Sequence, residues 1–330
     1  MNRIRVAGVM LIANLLWGSW QVQGETVTLK YGQIPSTIRS VSSLPLYVAQ
    51  RRGFFAREEL NVEIVPIEGG TGNMVAALDR GAVDITRTAT PYLILAALKG
   101  SDAVAVAGET RTPIYSLIVQ PEIKTYDDLK GKLLGLSLRV DTISISMRKL
   151  LARHGLRQEQ YQVKELVGTP PRFDCLKRGE CAGVPLGQPE DFLALRQGYR
   201  RLGLSTEAVP DFQFTVSAVR RGWAERNKGK VTRYVRALAS AYRYLREHGN
   251  RDDAAKIIAD TTGSSPDIAG EILALYYEPD RGVFPRAGEL DLKGLTRVLE
   301  FMAEAGELKS PLPPPQRFVD LQFLQAAAVH

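Results

Sequence analysis

The residues of this chain best suited to chemistry are arginines, hydroxyls and glycines at the ends of apolar runs, and what they suit is the binding of an anion. Arg87 follows the run Val83 to Thr86 and Arg139 follows Leu133 to Leu138, with Thr88 and Thr142 close by. A guanidinium presents five N–H donors in a fixed fork and stays charged at any physiological pH. A charge-assisted hydrogen bond from it contributes about 1.5–3 kcal/mol, against ~0–1 kcal/mol for an ion pair exposed to water. Arg172, Arg111 and Arg39 are lesser candidates of the same kind.

Two loops add neutral donors. The stretch after the first apolar run is rich in hydroxyls, at Ser36, Thr37, Ser40, Ser42 and Ser43, and Tyr47 beyond it is placed either to stack on a ring or to pack. Gly69-Gly70-Thr71-Gly72-Asn73 opens a helix whose free N–H groups and dipole favour a negative group. It lacks the Lys-Ser/Thr ending of a nucleotide-binding loop, and Thr71 serves equally well as a plain N-cap. Gln188 and Pro189 stand beyond the run Ala182 to Leu186 and are expected to line a facing wall.

Catalytic patterns are absent. The three histidines are His154 and His248, each beside a glycine at a helix end, and the terminal His330. No G-x-S-x-G, H-E-x-x-H or Cys-His arrangement occurs. The pairs Asp127-Asp128 and Glu58-Glu59 read as solvated helix starts rather than an acid and a base. No enzyme, metal or cofactor is therefore expected. Cys175 and Cys181 are the only cysteines, and the sequence leaves open whether they form a disulfide or remain two buried thiols.

The elements that must position these residues alternate between β-rich runs and amphipathic stretches, as βαβ units around parallel sheets do. Strands are expected at Val27–Tyr31, Val62–Ile67, Val83–Thr86 and Ala103–Ala107, with helices between them closed by Gly53, Gly81 and Gly100. After a crossing segment, Thr112–Gln120, the rhythm repeats through Leu133–Leu138, Gln162–Val167 and Ala182–Leu186. Phe212–Val219 returns to the first series, and the rest is mostly helical. The prediction is an α/β chain of two lobes, each a mainly parallel sheet flanked by helices, with 25–110 and 217–330 in lobe 1 and 111–216 in lobe 2. Open sheets of this kind bind ligands beyond the carboxyl ends of their strands, so the candidates belong to loops around one cleft.

Arg3 and Arg5, the apolar run Val6–Trp17 and the smaller residues to Gly24 follow the order of a secretory signal peptide over residues 1–24. At about a dozen residues the run falls short of the ~20 needed to cross a bilayer. No later stretch is long enough, so no membrane span is expected after signal removal. The product is expected to be a periplasmic monomer. Without Arg3 and Arg5 the net charge falls from +7 to +5, and the basic residues are dispersed, which gives a nucleic-acid partner no support.

Five motifs in sequence order resemble the periplasmic substrate-binding family that includes the sulfonate, taurine and nitrate receptors and the thiamine-pyrimidine-precursor proteins. They are Pro45-Leu46-Tyr47-Val48-Ala49 with Gly53-Phe54-Phe55 and Leu60-Asn61-Val62-Glu63; Ala77 to Ile85 around Gly81 and Asp84; Asp128-Leu129-Lys130-Gly131-Lys132; Leu176 to Ala182 around Gly179; and Trp223-Ala224 with Val231, Tyr234, Ala237 and Tyr244. Gly187 with Pro189 also matches a Gly-x-Pro turn of that family. Cys181 stands where the family usually carries Asp. The resemblance implies a type II periplasmic binding fold with a ligand cleft between the lobes. It also implies a solute-binding receptor that delivers a small organic anion, a sulfonate or a carboxylate, to the permease of an ABC importer. Ser42, Ser43, Tyr47, Gly70, Thr71, Arg87, Thr88, Arg139, Thr142 and Gln188 are the expected ligand contacts. An enzyme or precursor-binding protein of the thiamine-pyrimidine type and a ligand-sensing partner of a receptor remain alternatives.

Overall fold

The computed structural model describes residues 26–277 and 282–329. The expected signal peptide, 1–24, and His330 lie outside them. Among the described residues ten strands form two sheets. The first four, β1 (Val27–Gln33), β2 (Leu60–Pro66), β3 (Ile85–Ala89) and β4 (Ala103–Thr110), belong to one sheet. The next five, β5 (Ser116–Val119), β6 (Leu133–Leu136), β7 (Gln162–Glu165), β8 (Gly183–Leu186) and β9 (Arg200–Leu204), form the other. The last, β10 (Thr215–Arg220), returns to the first sheet.

The strand orders, β2-β1-β3-β10-β4 and β7-β6-β8-β5-β9, are the same arrangement twice. In each sheet the strand that arrives from the other lobe inserts antiparallel next to the edge: β10 between β3 and β4, and β5 between β8 and β9. The remaining pairings, β1 with β2 and β3, and β6 with β7 and β8, are parallel. Helices cover both faces, which explains why β4, buried along its whole length, reads as a run of small and apolar residues from Ala103 to Gly108 before it ends on Glu109 and Thr110.

On one face of the first sheet lies the helix Lys228–Arg246, whose Val231, Tyr234, Val235, Leu238, Tyr242 and Leu245 recur at helical spacing. There Tyr234 stacks on both Tyr31 and Phe55, with centroids 6.2 and 6.1 Å away. The other face is covered by Thr71–Asp79, Thr90–Leu98 and Leu292–Glu304 through residues such as Leu78, Leu93 and Val298. In the second lobe, Met147, Leu150 and Leu151 of the helix Thr142–Arg153 pack on one face, and Phe173, Leu176 and Ala194 on the other. Cys175 and Cys181 are joined by a disulfide, with Cα atoms 5.4 Å apart, closing the turn at Gly179.

The two chain crossings run side by side. Ser205 donates its hydroxyl to the Pro113 carbonyl (2.6 Å) and accepts from the Tyr115 N–H (2.9 Å), while Thr112 bonds the Val209 carbonyl. The segment before the helix Leu292–Glu304 is strapped over this hinge: Gly108 N–H donates to the Gly288 carbonyl (2.8 Å), and Asp291 N–H to Gln213 Oε1 (2.8 Å).

Several elements differ from expectation. β5 lies inside the segment read as a plain crossing, and β9 went unread because Arg200-Arg201-Leu202-Gly203-Leu204 is too polar to alternate as a strand does. Arg87 lies within β3 rather than after it, because the strand starts at Ile85. The helix expected to close at Gly53 spans Leu44–Arg51, and a second short one, Phe54–Arg57, follows where Gly53 takes a φ of 68°.

The strap makes one glycine irreplaceable. A Cβ at Gly108 would stand 2.3 Å from the Glu289 carbonyl oxygen, a backbone atom with no rotamer to escape into. Gly108→Ala is expected to destabilise the protein by about 1–3 kcal/mol, the usual range for overpacking. Urea unfolding checks this, and an unchanged midpoint would refute the strap's tight fit.

Candidate functional site

The cleft between the sheets has a volume of about 140 Å³, suited to a small molecule rather than a polymer. Its first wall rises from β3. Arg87, 8% exposed, pairs with Glu109 of β4 (Nε to Oε2, 3.3 Å). Its other nitrogens donate to the Ser42 carbonyl and to the hydroxyls of Thr110 (3.2 Å) and Thr215 (3.1 Å). Three of its five N–H groups are thereby hydrogen-bonded, and Nε faces the Glu109 carboxylate. Burial disfavours the guanidinium charge, but Glu109 and the surrounding tyrosines outweigh that and push its pKa up. Tyr31 and Ser217 donate to Glu109 Oε1, at 2.6 and 2.5 Å. Burial, and then Glu109, hold the Tyr31 and Tyr234 phenols well above their ordinary range. The Arg87 charge is thus neutralised within the lobe.

The second wall holds a different arginine. Arg172, 1% exposed, donates from Nε to the Pro185 carbonyl (2.7 Å), from Nη1 to the Leu166 carbonyl (3.1 Å) and from Nη2 to the Thr169 hydroxyl (3.3 Å). Its guanidinium carbon lies 5.7 Å from the centre of the Tyr115 ring. Three of five donors are used, and among the described residues no carboxylate stands within ion-pairing distance. Burial pulls its pKa down, against the opposing influence of Tyr115, Asp141 and Glu190.

Two carboxyls share this wall. Asp141 caps the helix Thr142–Arg153, accepting from the Ile143 N–H (3.0 Å) and the Ser137 hydroxyl (2.9 Å). Burial raises its pKa despite those bonds and the field of Arg172. Glu190, the first residue of the helix Glu190–Arg196, is also raised, chiefly by burial. Behind it, Asp191 accepts from Ser116 (2.6 Å), Gln188 (2.9 Å) and Arg201 (3.1 Å). Gln188 in turn accepts from Tyr276 (2.7 Å), whose helix packs on the first lobe's core.

Of the ten residues singled out from sequence, the structure brings Ser42, Thr71, Arg87, Thr88 and Gln188 to the cleft lining. Arg39, a lesser candidate, also lines it, as does Arg172. The other five lie elsewhere. Ser43 is turned inward to bond Gln33 and the Thr37 carbonyl. Tyr47 packs against the core beneath its helix, and Gly70 sits at the N-cap before Thr71, closest to Val167. Thr142 is sealed beneath the Asp141 cap, its hydroxyl without a partner among the described residues. Arg139 is 57% exposed and ion-paired with Glu307 on the outer rim, because the turn after β6 sends it away from the cleft. Arg111 pairs with Asp291 (3.9 Å) beside the strap.

Asp141, Glu190, Thr169, Tyr115 and Tyr276 had not been singled out. Asp141-Thr142 before an apolar helix is a readable N-cap, and Thr169-Pro170-Pro171 a readable helix start. Taken together they would have placed Arg172 in the first helical turn facing the strand ends. Nothing in the sequence near Tyr276 points to the cleft.

Comparison with known proteins agrees with this architecture. Residues 40–251 match the model of the family described as NMT1/THI5 like. A putative binding protein, YtlA, of Bacillus subtilis is 22% identical over 302 residues, covering 87% of this chain and 86% of its own. The ligand-binding component of an ABC-type import system from Staphylococcus aureus, solved with zinc bound, superposes with a TM-score of 0.76 at 15% identity. That match covers 92% of this chain and 99% of the other. The alkanesulfonate-binding protein SsuA from Xanthomonas axonopodis, bound to MOPS, gives 0.70 at 19% identity, covering 89% and 98%. Among the described residues no group of three or more His, Cys, Asp or Glu side chains is placed to hold a metal ion. The fold is that of the periplasmic binding proteins, and with the model matching well over half of its length, the chain belongs to the NMT1/THI5-like family.

Proposed function

We propose that the protein is an extracytoplasmic receptor that captures a small organic anion, a sulfonate or a carboxylate, by closing two lobes on it and delivers it to the permease of an ABC importer. The observation that carries this reading is Arg172: a fully buried guanidinium with two free N–H donors and no carboxylate partner among the described residues. A buried charge left uncompensated costs several kcal/mol, and an anion in the cleft supplies the missing partner. Ser42, Thr71, Thr88 and Arg39 stand across the cleft to complete its coordination.

Closure supplies the mechanism. Only an interaction stronger in the closed state shifts the equilibrium between open and closed. Tyr276 to Gln188 is one such link, made between the lobes inside the cleft. On the rim, Arg139 pairs with Glu307, and Lys149 pairs with Glu304 while lying 3.6 Å from the centre of the Phe301 ring. Arg196 with Glu271 (3.2 Å) is a further pair between the lobes.

Binding without turnover fits the side chains present. His154 is stacked on Tyr126 with ring centroids 3.9 Å apart, both cysteines are in the disulfide, and none of the three lines the cleft. Export to the periplasm and a monomeric state complete the proposal.

In isothermal titration against short alkanesulfonates and carboxylates, Arg172→Met should weaken the best ligand by roughly 10- to 150-fold, the range of a charge-assisted contact. Equal affinity in a variant that still melts cooperatively would overturn the site. Mass spectrometry of the bound ligand should recover it unchanged, and a product would overturn the receptor reading. Arg139→Ala combined with Lys149→Ala should weaken binding only about 2- to 5-fold, an effect that fades near 1 M salt as exposed pairs are screened. A loss that persists in high salt would show that these residues do not act as a rim latch.

A further inference from the structure

Two kinds of unpaired charge face the cleft, and a simple anion satisfies only one of them. Arg172 and Arg39 are the cations without a carboxylate partner among the described residues. Glu190 is the converse: it lines the same cleft, is largely withdrawn from solvent, and apart from its own backbone N–H its carboxylate has no hydrogen-bond or ion-pair partner among the described residues. Its neighbour Asp191 is fully occupied by Ser116, Gln188, Arg201 and the Phe192 N–H. Asp141 is committed as well, one oxygen to the helix cap and the other to Ser137. Glu190 is therefore the acceptor still unspent in this wall. Arg172 and Glu190 feel each other's charge but do not meet, although both belong to the second lobe. A guanidinium and a carboxylate held apart on one wall are left for something that spans them.

We propose that the ligand is bipolar, with an anionic group held by Arg172 and a hydrogen-bond donor, a hydroxyl or protonated nitrogen, received by Glu190. This deepens the receptor reading and rests on it. A ligand with only a negative group must sit beside the Glu190 carboxylate and suffers like-charge repulsion. A donor at the far end turns that repulsion into a charge-assisted bond, so Glu190 selects among anions while Arg172 secures them.

The test is isothermal titration of the mature chain with propanesulfonate, its ω-hydroxy analogue and its ω-amino analogue, with the corresponding carboxylates as a second series. In the wild-type protein the donor-bearing analogues should bind at least about tenfold tighter than the plain anion. Glu190→Gln should reverse that order from both sides, weakening the ω-amino analogue and tightening the plain anion because the repulsion is gone. A merely structural role for Glu190 would shift all three together. The proposal is overturned if the wild-type protein binds the plain anion as tightly as its amino analogue, or if Glu190→Gln changes all three by one factor. In either case the receptor reading stands, since an anion still binds. Failure of every sulfonate and carboxylate to bind would overturn both.

Discussion

The buried pair between Arg87 and Glu109 is the interaction around which the first lobe and its face of the cleft are organised. Arg87 comes from β3 and Glu109 from β4, and the strand between them, β10, supplies Ser217 to the carboxylate and Thr215 to the guanidinium. Tyr31 brings in β1, Tyr242 bonds the Glu109 carbonyl, and the Ser42 carbonyl fixes the hydroxyl-rich loop. Taking two charges out of water is worthwhile only when each is held by several further bonds, and here both are. The pair behaves less as a stabilising contact than as a register pin: it can form only when β1, β3, β4 and β10 are all in place.

The second lobe meets the same requirement differently. Its crossing strand, β5, also contributes a serine, Ser116, to a buried carboxylate, Asp191, which draws on Arg201 and Gln188. Arg172 stands apart from that network and is solvated by main-chain carbonyls and one threonine instead. Carbonyl dipoles tolerate a guanidinium without cancelling it. Arg87 is therefore compensated before anything binds, while Arg172 keeps a residual field, and this asymmetry between the two buried arginines is why function is assigned to Arg172 rather than to Arg87.

Much of the fold was legible because it is local. Period-two and period-3.6 apolar patterns, with glycines at their ends, located most strands and helices and the repetition of one α/β arrangement. The candidate site was legible only in part. Arg87 and Arg139 look alike in sequence, each after an apolar run, yet one is buried in a strand and the other points off the rim. The difference is a matter of where a strand begins and which way a turn leads, to within one or two residues. Arg172 follows no apolar run, and it reaches the cleft because its helix starts at Thr169, a turn ahead of the apolar Phe173. The Tyr276–Gln188 contact joins residues 88 positions apart, and no local pattern encodes such a meeting.

The antiparallel insertion of β10 also dictates an order of assembly. During synthesis β3 and β4 emerge together, but the strand that belongs between them follows only after the whole second sheet, from Thr110 to Thr215. Until then both carry unpaired main-chain donors and acceptors, the template for pairing with another chain. Non-local pairing of this kind folds slowly because loop closure must precede any gain from contact. The second lobe, by contrast, has its crossing strand first and can close on itself as it emerges. The interleaved chain thus makes the second lobe self-sufficient and the first dependent on a late arrival, so a truncation after β9 would leave the second sheet complete and the first one open.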